Sequence, residues 1–145
     1  MHVKFGDMWD IVGETDLFCI TANSTVRKSD EHLVMGRGIA REAAQRYPGL
    51  QFMAGKLVSA YSVPYGVIIL PIKPFALFQV KTHWQHDAEL SLIEHTVRCL
   101  LLHAKGYNTV DRNFPGIGNG KLLMEDVLPV IDCLGDNVNV WIKKG

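Results

Sequence analysis

The chain has 145 residues, of which 48% are hydrophobic and 21% charged, and its 15 basic and 15 acidic residues cancel. This length and composition predict one globular domain, residues 1–145, whose core needs no disulfide bonds. The net charge of zero argues against a broad nucleic-acid-binding scaffold, because such a scaffold holds phosphates with a large basic surface. It leaves room for a local basic patch.

The three cysteines, Cys19, Cys99 and Cys133, lie far apart in the sequence and each in an apolar run. This spacing argues against a disulfide framework and against a thiolate zinc site, so we predict small core residues in a reducing compartment. The N-terminus lacks the apolar region of a signal peptide, and no apolar run is long enough to span a bilayer. We therefore expect a cytoplasmic protein without a membrane partner.

The first half of the chain predicts two strands and two helices. Residues 2–9 alternate apolar and polar side chains, which is typical of a strand. Residues 16–22 are almost continuously apolar, which is typical of a strand covered on both faces. After a polar loop, residues 36–49 predict a helix that a Pro-Gly pair ends, and residues 50–57 predict a second, short helix.

The second half begins with three strand-like segments that proline-containing turns separate, residues 57–63, 65–72 and 75–84. Residues 87–106 predict the clearest helix, because apolar residues recur at helical spacing after Asp87, a suitable N-cap. The remaining predicted elements are a strand at residues 108–114, a loop at 115–121, a helix at 123–135 and a last strand at 137–144. The order of elements predicts one α/β domain with a mixed sheet.

A glycine-rich loop lies in "NFPGIGNGKLL", residues 113–123, between a predicted strand and a predicted helix. It is not a Walker nucleotide loop, because Pro115 stands where that motif needs a glycine and Leu122 where it needs Ser or Thr for magnesium. Its backbone can still approach a ligand and present N–H groups to an anion at three alternating glycines, Gly116, Gly118 and Gly120. The alternative is a flexible turn without a ligand.

A second loop, "MGRGIA" at residues 35–40, has Gly36 and Gly38 at the start of a predicted helix. It is not a dinucleotide fingerprint, since Arg41 occupies the third glycine position. The first N–H groups of a helix nevertheless form an anion site. Two such loops in one small α/β domain suggest a ligand with two phosphates held between them.

Three polar residues follow or interrupt predicted strands, and each has two interpretations. Asp7 is either a turn or cap residue or a ligand contact, and Asn23 is either an Asx-turn residue or a ligand contact. Lys81 lies in an otherwise apolar predicted strand. It is therefore either an edge-strand charge that prevents aggregation or a functional amine that faces a cleft.

Further candidates carry weaker signals. His83 and His86 have the spacing of a metal pair, but no matching cluster is evident, and we expect no metal and no cofactor. Trp84 is more typical of a packing anchor at the start of the helix than of a stacking platform. A basic helix face, which is either merely solvated or attracts a phosphate-bearing ligand, contains Arg37, Arg41 and Arg46.

The order of these parts resembles a macro domain, the α/β fold that binds ADP-ribose. Four stretches in the family's order carry the resemblance, namely "FGDMW", "ITANST", "MGRGIAREAAQRYPG" and "FPGIGNG". A fifth, "FQVKTHWQHDAELSLIE", looks like the lysine-His-Trp segment of macrodomain antitoxins that remove ADP-ribose from DNA bases, a branch that includes a hydrolase acting on glutamate-linked ADP-ribose. The resemblance implies a single macro domain whose mixed, mostly parallel sheet is sandwiched between helices.

The resemblance also implies a role for each matching residue. Asp7 matches the aspartate that hydrogen-bonds the adenine amino group, Asn23 the asparagine at the distal ribose, and Lys81 the catalytic lysine. Asn23 would support Lys81 in catalysis. The implied ligand-binding residues are Asp7, Met8, Ala22, Asn23, Gly36, Arg37, Gly38, Ile39, Pro115, Gly116, Ile117, Gly118, Asn119 and Gly120.

Two positions depart from the family pattern. Leu122 stands at the direct match to an aspartate that follows the second glycine loop in the glutamate-directed enzyme, and the nearest acids, Glu125 and Asp126, fall at the start of the next helix. This weakens a lysine–aspartate mechanism but not binding. Arg37 stands where many relatives have a small residue, which would change access to the distal ribose.

Four hypotheses follow. The first is a hydrolase that removes ADP-ribose from a modified DNA base or protein, with Lys81 attacking the opened C1″ aldehyde. The second is a module that binds ADP-ribose without turnover, and the third is a phosphatase for ADP-ribose 1″-phosphate. The fourth is a structural protein whose glycine loops are only turns. For the first three we expect a monomer that meets its nucleic-acid or protein substrate transiently.

Overall fold

The computed structural model describes residues 1–143, except for the side chain of Asn119. One six-stranded sheet runs through it in the order β1-β6-β5-β2-β4-β3, and every neighbouring pair is parallel except β3 and β4. The strands are β1 (His2–Phe5), β2 (Leu17–Ala22), β3 (Val67–Ile69), β4 (Phe75–Gln79), β5 (Val110–Asn113) and β6 (Val138–Ile142).

Helices cover both faces of the sheet, each over its own hydrophobic core. They are α1 (Gly38–Arg46), α2 (Leu50–Ala60), α3 (Leu90–Ala104) and α4 (Met124–Ile131), with short 3₁₀ helices at Met8–Ile11 and Gly118–Gly120. The first two helices pack on one face and the last two on the other. The predicted α/β domain with a mixed, mostly parallel sheet between helices is therefore confirmed.

The central strands explain the apolar runs in the sequence. Strand β2 lies between β4 and β5, and both of its faces are covered, so five of its six residues are buried. A strand in that position needs apolar side chains on both faces and shows no alternation. None of the described helices combines the length and the apolar character that crossing a membrane requires.

One predicted strand is wrong. Residues 57–63 form no strand, because α2 continues to Ala60. Leu50, Ala54 and Val58 are four residues apart and all buried, so Val58 of the predicted strand belongs to the buried face of a helix.

Several predicted boundaries also change. The first strand ends at Phe5, because Gly6 has a φ of 143° and the Asp7 side chain accepts a hydrogen bond from the Trp9 N–H that starts a 3₁₀ turn. The helix predicted from Asp87 begins at Leu90, with Glu89 as its N-cap. Apart from α2, which is longer, the remaining elements are shorter than predicted, and Lys144, the end of the predicted last strand, lies outside the described residues.

The cysteine prediction holds for one residue only. Cys19 is buried in the centre of the sheet, and this burial raises the pKa of its thiol to about 12. Cys99 is half-buried, and Cys133 is exposed, because α4 ends at Ile131 and leaves Cys133 in the turn that follows.

Close packing between α2 and the loop before α1 generates a stability prediction. A Cβ at Gly55 would collide with the carbonyl oxygen of Glu31 and approach the Leu33 nitrogen to 2.8 Å. Backbone atoms cannot move aside cheaply, so we expect Gly55→Ala to lower the free energy of unfolding by about 1–3 kcal/mol. Urea denaturation followed by circular dichroism measures this change. Gly13→Ala is the matched control, since no atom lies within 4 Å of its added Cβ; equal destabilisation of both variants would contradict the close contact.

Candidate ligand site

The carboxyl ends of three neighbouring parallel strands meet at one edge of the sheet. Residues at or just after these ends, Asn23 after β2, Lys81 after β4 and Asn113 at the end of β5, line one cavity of about 500 Å³. Ligands of open α/β sheets bind at this edge, because the loops that leave the strands form a crevice there. A volume of this size is in the range of small-molecule sites.

Most of the predicted ligand residues line this main cavity. They are Ala22, Asn23, Gly36, Arg37, Gly38, Ile39, Lys81, Gly116, Ile117 and Gly120. Other lining residues were not predicted from the sequence, namely Thr21, Thr25, Arg27, Val34, Met35, Ala40, Val80 and Asn113. Thr25 ends the stretch "ITANST" but received no role of its own, and Arg27 lies in the polar loop beyond it, where no motif distinguished it from ordinary loop residues.

A second cavity of about 280 Å³ lies beside the main one and shares Gly38, Ile39 and Asn113 with it. Asp7 and Met8 line this second cavity together with two tryptophans, Trp9 and Trp141. The predicted residues therefore divide into two adjoining compartments.

Three predicted residues remain. Pro115 is buried and Gly118 is exposed, and neither lines either cavity. The side chain of Asn119 lies outside the described part of the chain.

The first glycine loop ends in α1 without a side-chain cap. Arg37 is the N-cap residue, but its side chain makes no capping hydrogen bond, and Gly38 begins the helix with a φ of 56°. The first N–H groups of a helix have no partner within the helix, so these donors are open to an anion in the cavity.

Packing contacts restrict which residues the second glycine loop can contain. Gly116 has a φ of 78°, and a Cβ there would approach Ile93 and Leu122 to 2.7 and 2.9 Å. A Cβ at Gly120 would approach Ala88 to 2.9 Å. These two glycines are therefore required by the fold itself, whether or not a ligand binds.

Asn23 forms an Asx-turn, which is one of the two interpretations that its place in the sequence allowed. Its Oδ1 accepts a hydrogen bond from the Thr25 N–H at 2.9 Å, and its Nδ2 donates to the Val34 carbonyl at 2.9 Å. The side chain is almost completely buried, at 6% exposure. An amide nitrogen carries two hydrogens, so one donor of Asn23 remains for a ligand.

The predicted strand, residues 75–84, contained Lys81. The observed strand β4 ends at Gln79, so Lys81 lies after the strand. Gln79 is buried, and its Nε2 donates to the Lys81 carbonyl at 3.4 Å, which holds the backbone of this residue. The side chain lines the main cavity. Partial burial and the nearby Arg37 lower the pKa of the Lys81 amine from its ordinary value of 10.5, while Asp87 opposes the change.

Trp84 lines the cavity instead of only packing against the start of the helix. Its backbone N–H donates to the Thr25 hydroxyl at 3.1 Å. The neighbouring His83 and His86 have ring centroids 5.1 Å apart, but no group of three His, Cys, Asp or Glu side chains in the described residues could hold a metal ion.

The three arginines of the predicted basic helix face have separate environments. Arg37 lines the main cavity, and Arg41 lines a neighbouring groove of about 320 Å³. Arg46 lies 4.5 Å from the centre of the Trp9 ring, where its charge interacts with the aromatic face.

No family model matches the sequence, and no curated protein matches it significantly. Solved structures do. The macrodomain of Thermus aquaticus DarG matches over 99% of this chain and 98% of its own, with 20% identity and a TM-score of 0.70. The macrodomain of Mycobacterium tuberculosis DarG matches over 99% and 97%, with 24% identity and a TM-score of 0.70.

The chain has the macrodomain fold. A third match is Thermosipho africanus DarTG in complex with ADP-ribose, with 17% identity and a TM-score of 0.74 over 99% of this chain and 42% of the other. The predicted resemblance to macro domains is thus confirmed at the level of the fold, and these three matches include macrodomains of DarG.

The charges around Lys81 lead to a prediction for the pKa of its amine. Removing a positive neighbour stabilises the ammonium form and removing a negative one destabilises it, so Arg37→Gln should raise the pKa of Lys81 and Asp87→Asn should lower it. An NMR titration of the lysine side chains measures both shifts, with the exposed Lys56 as internal reference. Unchanged titration of Lys81 in both variants would show that these charges do not reach the amine.

Proposed function

We propose that this protein binds ADP-ribose and removes it from a modified macromolecule, a DNA base or a protein. The observation that carries the proposal is the pair of glycine loops that share one cavity with a partly buried lysine. The second cavity shares Gly38, Ile39 and Asn113 with this cavity, and Lys81 does not line it. The bound ADP-ribose in the Thermosipho africanus structure of the same fold supports this choice of ligand.

The ligand fits in one direction. Adenine would occupy the second cavity against Met8 and Trp9. One carboxylate oxygen of Asp7 already accepts the Trp9 N–H at 3.0 Å, so the other oxygen is left to accept the adenine amino group. The diphosphate would lie between the glycine loops, over the uncapped first turn of α1 and near the positive charge of Arg37.

The distal ribose would then lie beside Asn23 and Lys81. The remaining Nδ2 hydrogen of Asn23 would orient a ribose hydroxyl, because its other bonds already hold the amide in place. Lys81 would stand within reach of C1″, since both its amine and the loops line the same cavity.

The proposed reaction uses the neutral amine of Lys81. Nζ attacks C1″ while the bond to the leaving atom breaks, and an Nζ proton passes to the leaving group. The product is a C1″–Nζ glycosylamine, whose remaining Nζ proton passes to the ring oxygen as the C1″–O4″ bond opens and leaves a C1″=Nζ imine. Water adds to C1″ and supplies its oxygen, the C1″–Nζ bond breaks as Nζ takes a proton from the added water, and the released aldehyde closes again to the ribose ring of ADP-ribose. The lowered pKa of Lys81 favours this chemistry, because more of the amine is uncharged near neutral pH.

A second candidate, binding without turnover, is favoured by Leu122. This residue packs against the core beside Gly116 and Ile93, so it fills a hydrophobic contact at the position where an acid would be expected. Residue 122 therefore supplies no carboxylate, while the two glycine loops that would hold the diphosphate are unaffected.

Gly36→Val tests binding. Gly36 lines the main cavity, and no atom lies within 4 Å of an added Cβ, so a valine should occupy ligand space without disturbing the fold. We expect calorimetry to show ADP-ribose binding by the natural protein and affinity weakened about tenfold or more, equivalent to about 1.4 kcal/mol, in the variant. Gly13→Val, with equally open surroundings outside the cavities, should bind normally. If the natural protein binds no ADP-ribose, both proposed functions fail.

Lys81→Ala tests turnover. Groups that transfer protons in a reaction contribute roughly 10²–10⁴-fold, so release of ADP-ribose from modified DNA or protein should fall by at least about a hundredfold. Affinity for free ADP-ribose should remain, and Lys56→Ala on the exposed face of α2 should retain full activity. Full activity of Lys81→Ala would remove this lysine from the mechanism. Tight binding without product in the natural protein would favour the binding module, and phosphate release from ADP-ribose 1″-phosphate would show a phosphatase.

A further inference from the structure

The junction between the two cavities is lined by the three residues that belong to both, Gly38, Ile39 and Asn113. If adenine occupies the second cavity and the diphosphate lies between the glycine loops, the ribose next to adenine, here called the adenosine ribose, lies at this junction. A role for the junction in binding that ribose therefore rests on the proposed function. Among these three residues, only Asn113 has a side chain that forms hydrogen bonds.

The sheet fixes the backbone of Asn113 at the junction. Asn113 is the last residue of β5 and pairs with Trp141 of β6, whose carbonyl accepts the Phe114 N–H at 2.9 Å. The carbonyl of Asn113 itself accepts the Nε–H of Arg112 at 3.2 Å. Because these bonds hold the main chain, the side chain of Asn113 leaves the sheet at a defined place between the two cavities.

The side-chain amide of Asn113 contains an unused hydrogen-bond acceptor. Its Nδ2 donates to the Thr21 hydroxyl oxygen, while its Oδ1 is buried and has no hydrogen-bond partner among the described residues. Leaving a buried acceptor unpaired costs free energy, so few buried polar groups in folded proteins remain without a partner. A hydroxyl group that a ligand brings to the junction would remove this cost.

A small rotation of the amide would present Oδ1 to such a ligand. The Nδ2 bond to Thr21 is 3.3 Å long, beyond the roughly 2.7–3.2 Å that is usual for N–H···O bonds, so rotation about χ2 loses little. Because Oδ1 is buried, it also gives up little contact with water when a hydroxyl binds. An exposed acceptor would instead exchange one hydrogen bond for another. The bond to the ligand therefore contributes more to affinity at Asn113 than at an exposed amide.

The adenosine ribose carries two hydroxyl groups that can donate to Oδ1, at C2′ and C3′. The two acidic side chains of the second cavity, Asp7 and Glu42, do not line the main cavity, and the proposed function already assigns Asp7 to the adenine amino group. We propose that Oδ1 of Asn113 accepts a hydrogen bond from one hydroxyl of the adenosine ribose. Asn113 thereby makes the site select adenosine over deoxyadenosine at this end of the ligand.

The test removes one hydrogen-bonding group at a time from the ligand and from the protein. The probes are ADP-ribose and two analogues that lack either the 2′- or the 3′-hydroxyl of the adenosine ribose, and calorimetry gives the affinity for each. Asn113→Leu removes the amide with little change in volume. Asn113→Asp keeps an acceptor but loses the NH₂ group, so it distinguishes a bond that residue 113 accepts from one that it donates.

The natural protein should bind one of the two analogues about tenfold or more weakly than ADP-ribose, equivalent to about 1.4 kcal/mol. Asn113→Leu should bind ADP-ribose with this lower affinity and should no longer distinguish that analogue from it. Asn113→Asp should keep the preference for the hydroxyl, while its charge repels the diphosphate of all three probes equally. Asn108→Leu, at an exposed position outside both cavities, should match the natural protein.

The ratio of the affinities for the probes decides the role of Asn113. Equal weakening of all three probes in Asn113→Leu, or no weakening at all, would leave the preference in place and assign the hydroxyl to another residue. Loss of the preference in Asn113→Asp would show that the amide donates to the ligand, which contradicts the proposed bond.

Two results with the natural protein separate this selectivity from the proposed function. Binding of ADP-ribose without discrimination against either analogue would overturn the bond to Asn113, while the proposed function would stand. Failure to bind ADP-ribose at all would end the proposed function and the selectivity together.

Discussion

The buried amide of Asn23 is the interaction on which the site depends. Its side chain joins the end of β2 to Thr25 and to Val34 in the loop before α1, and its carbonyl accepts the Tyr65 hydroxyl at 2.7 Å. One residue thus links the central strand, the first glycine loop and the segment before β3. An unpaired buried amide is costly, so these bonds favour a single arrangement of the loop around the cavity.

A second buried amide performs the same task on the neighbouring strand. Oε1 of Gln79 accepts the N–H groups of Tyr65 and Gly66, at 2.9 and 3.2 Å, while its Nε2 donates to the Lys81 carbonyl. Its own carbonyl accepts the Thr96 hydroxyl of α3 at 2.8 Å. Hydrogen bonds to the segment before β3, to α3 and to the Lys81 carbonyl therefore fix the backbone next to the lysine side chain. A reacting side chain requires such fixed surroundings.

Binding and catalysis make different demands on this fold. Binding of a diphosphate needs only backbone N–H groups and glycines in the two loops. Two of those glycines, Gly116 and Gly120, are also needed for packing against Ile93 and Ala88. Hydrolysis would need particular side chains at C1″. The chain offers Lys81, whose pKa is lowered, but the residue after the second glycine loop is Leu122, which packs against the core and has no carboxylate. The cavity consequently offers more groups for the proposed ligand than for the proposed reaction.

The sequence by itself determined the fold class, both glycine loops and ten of the residues now found in the main cavity, because these features depend on patterns among neighbouring residues. It misplaced a strand at residues 57–63, since one apolar pattern can satisfy a strand or a helix face and only packing decides between them. It also missed the places of Thr25 and Trp84 in the cavity lining, which a hydrogen bond between distant loops brings together. Arg112 shows the same limit. Its guanidinium is wholly buried, lies 3.5 Å from the Phe78 ring centre, and has its pKa lowered to about 10 by burial, an environment that only the packing of β5 between β2 and β6 creates.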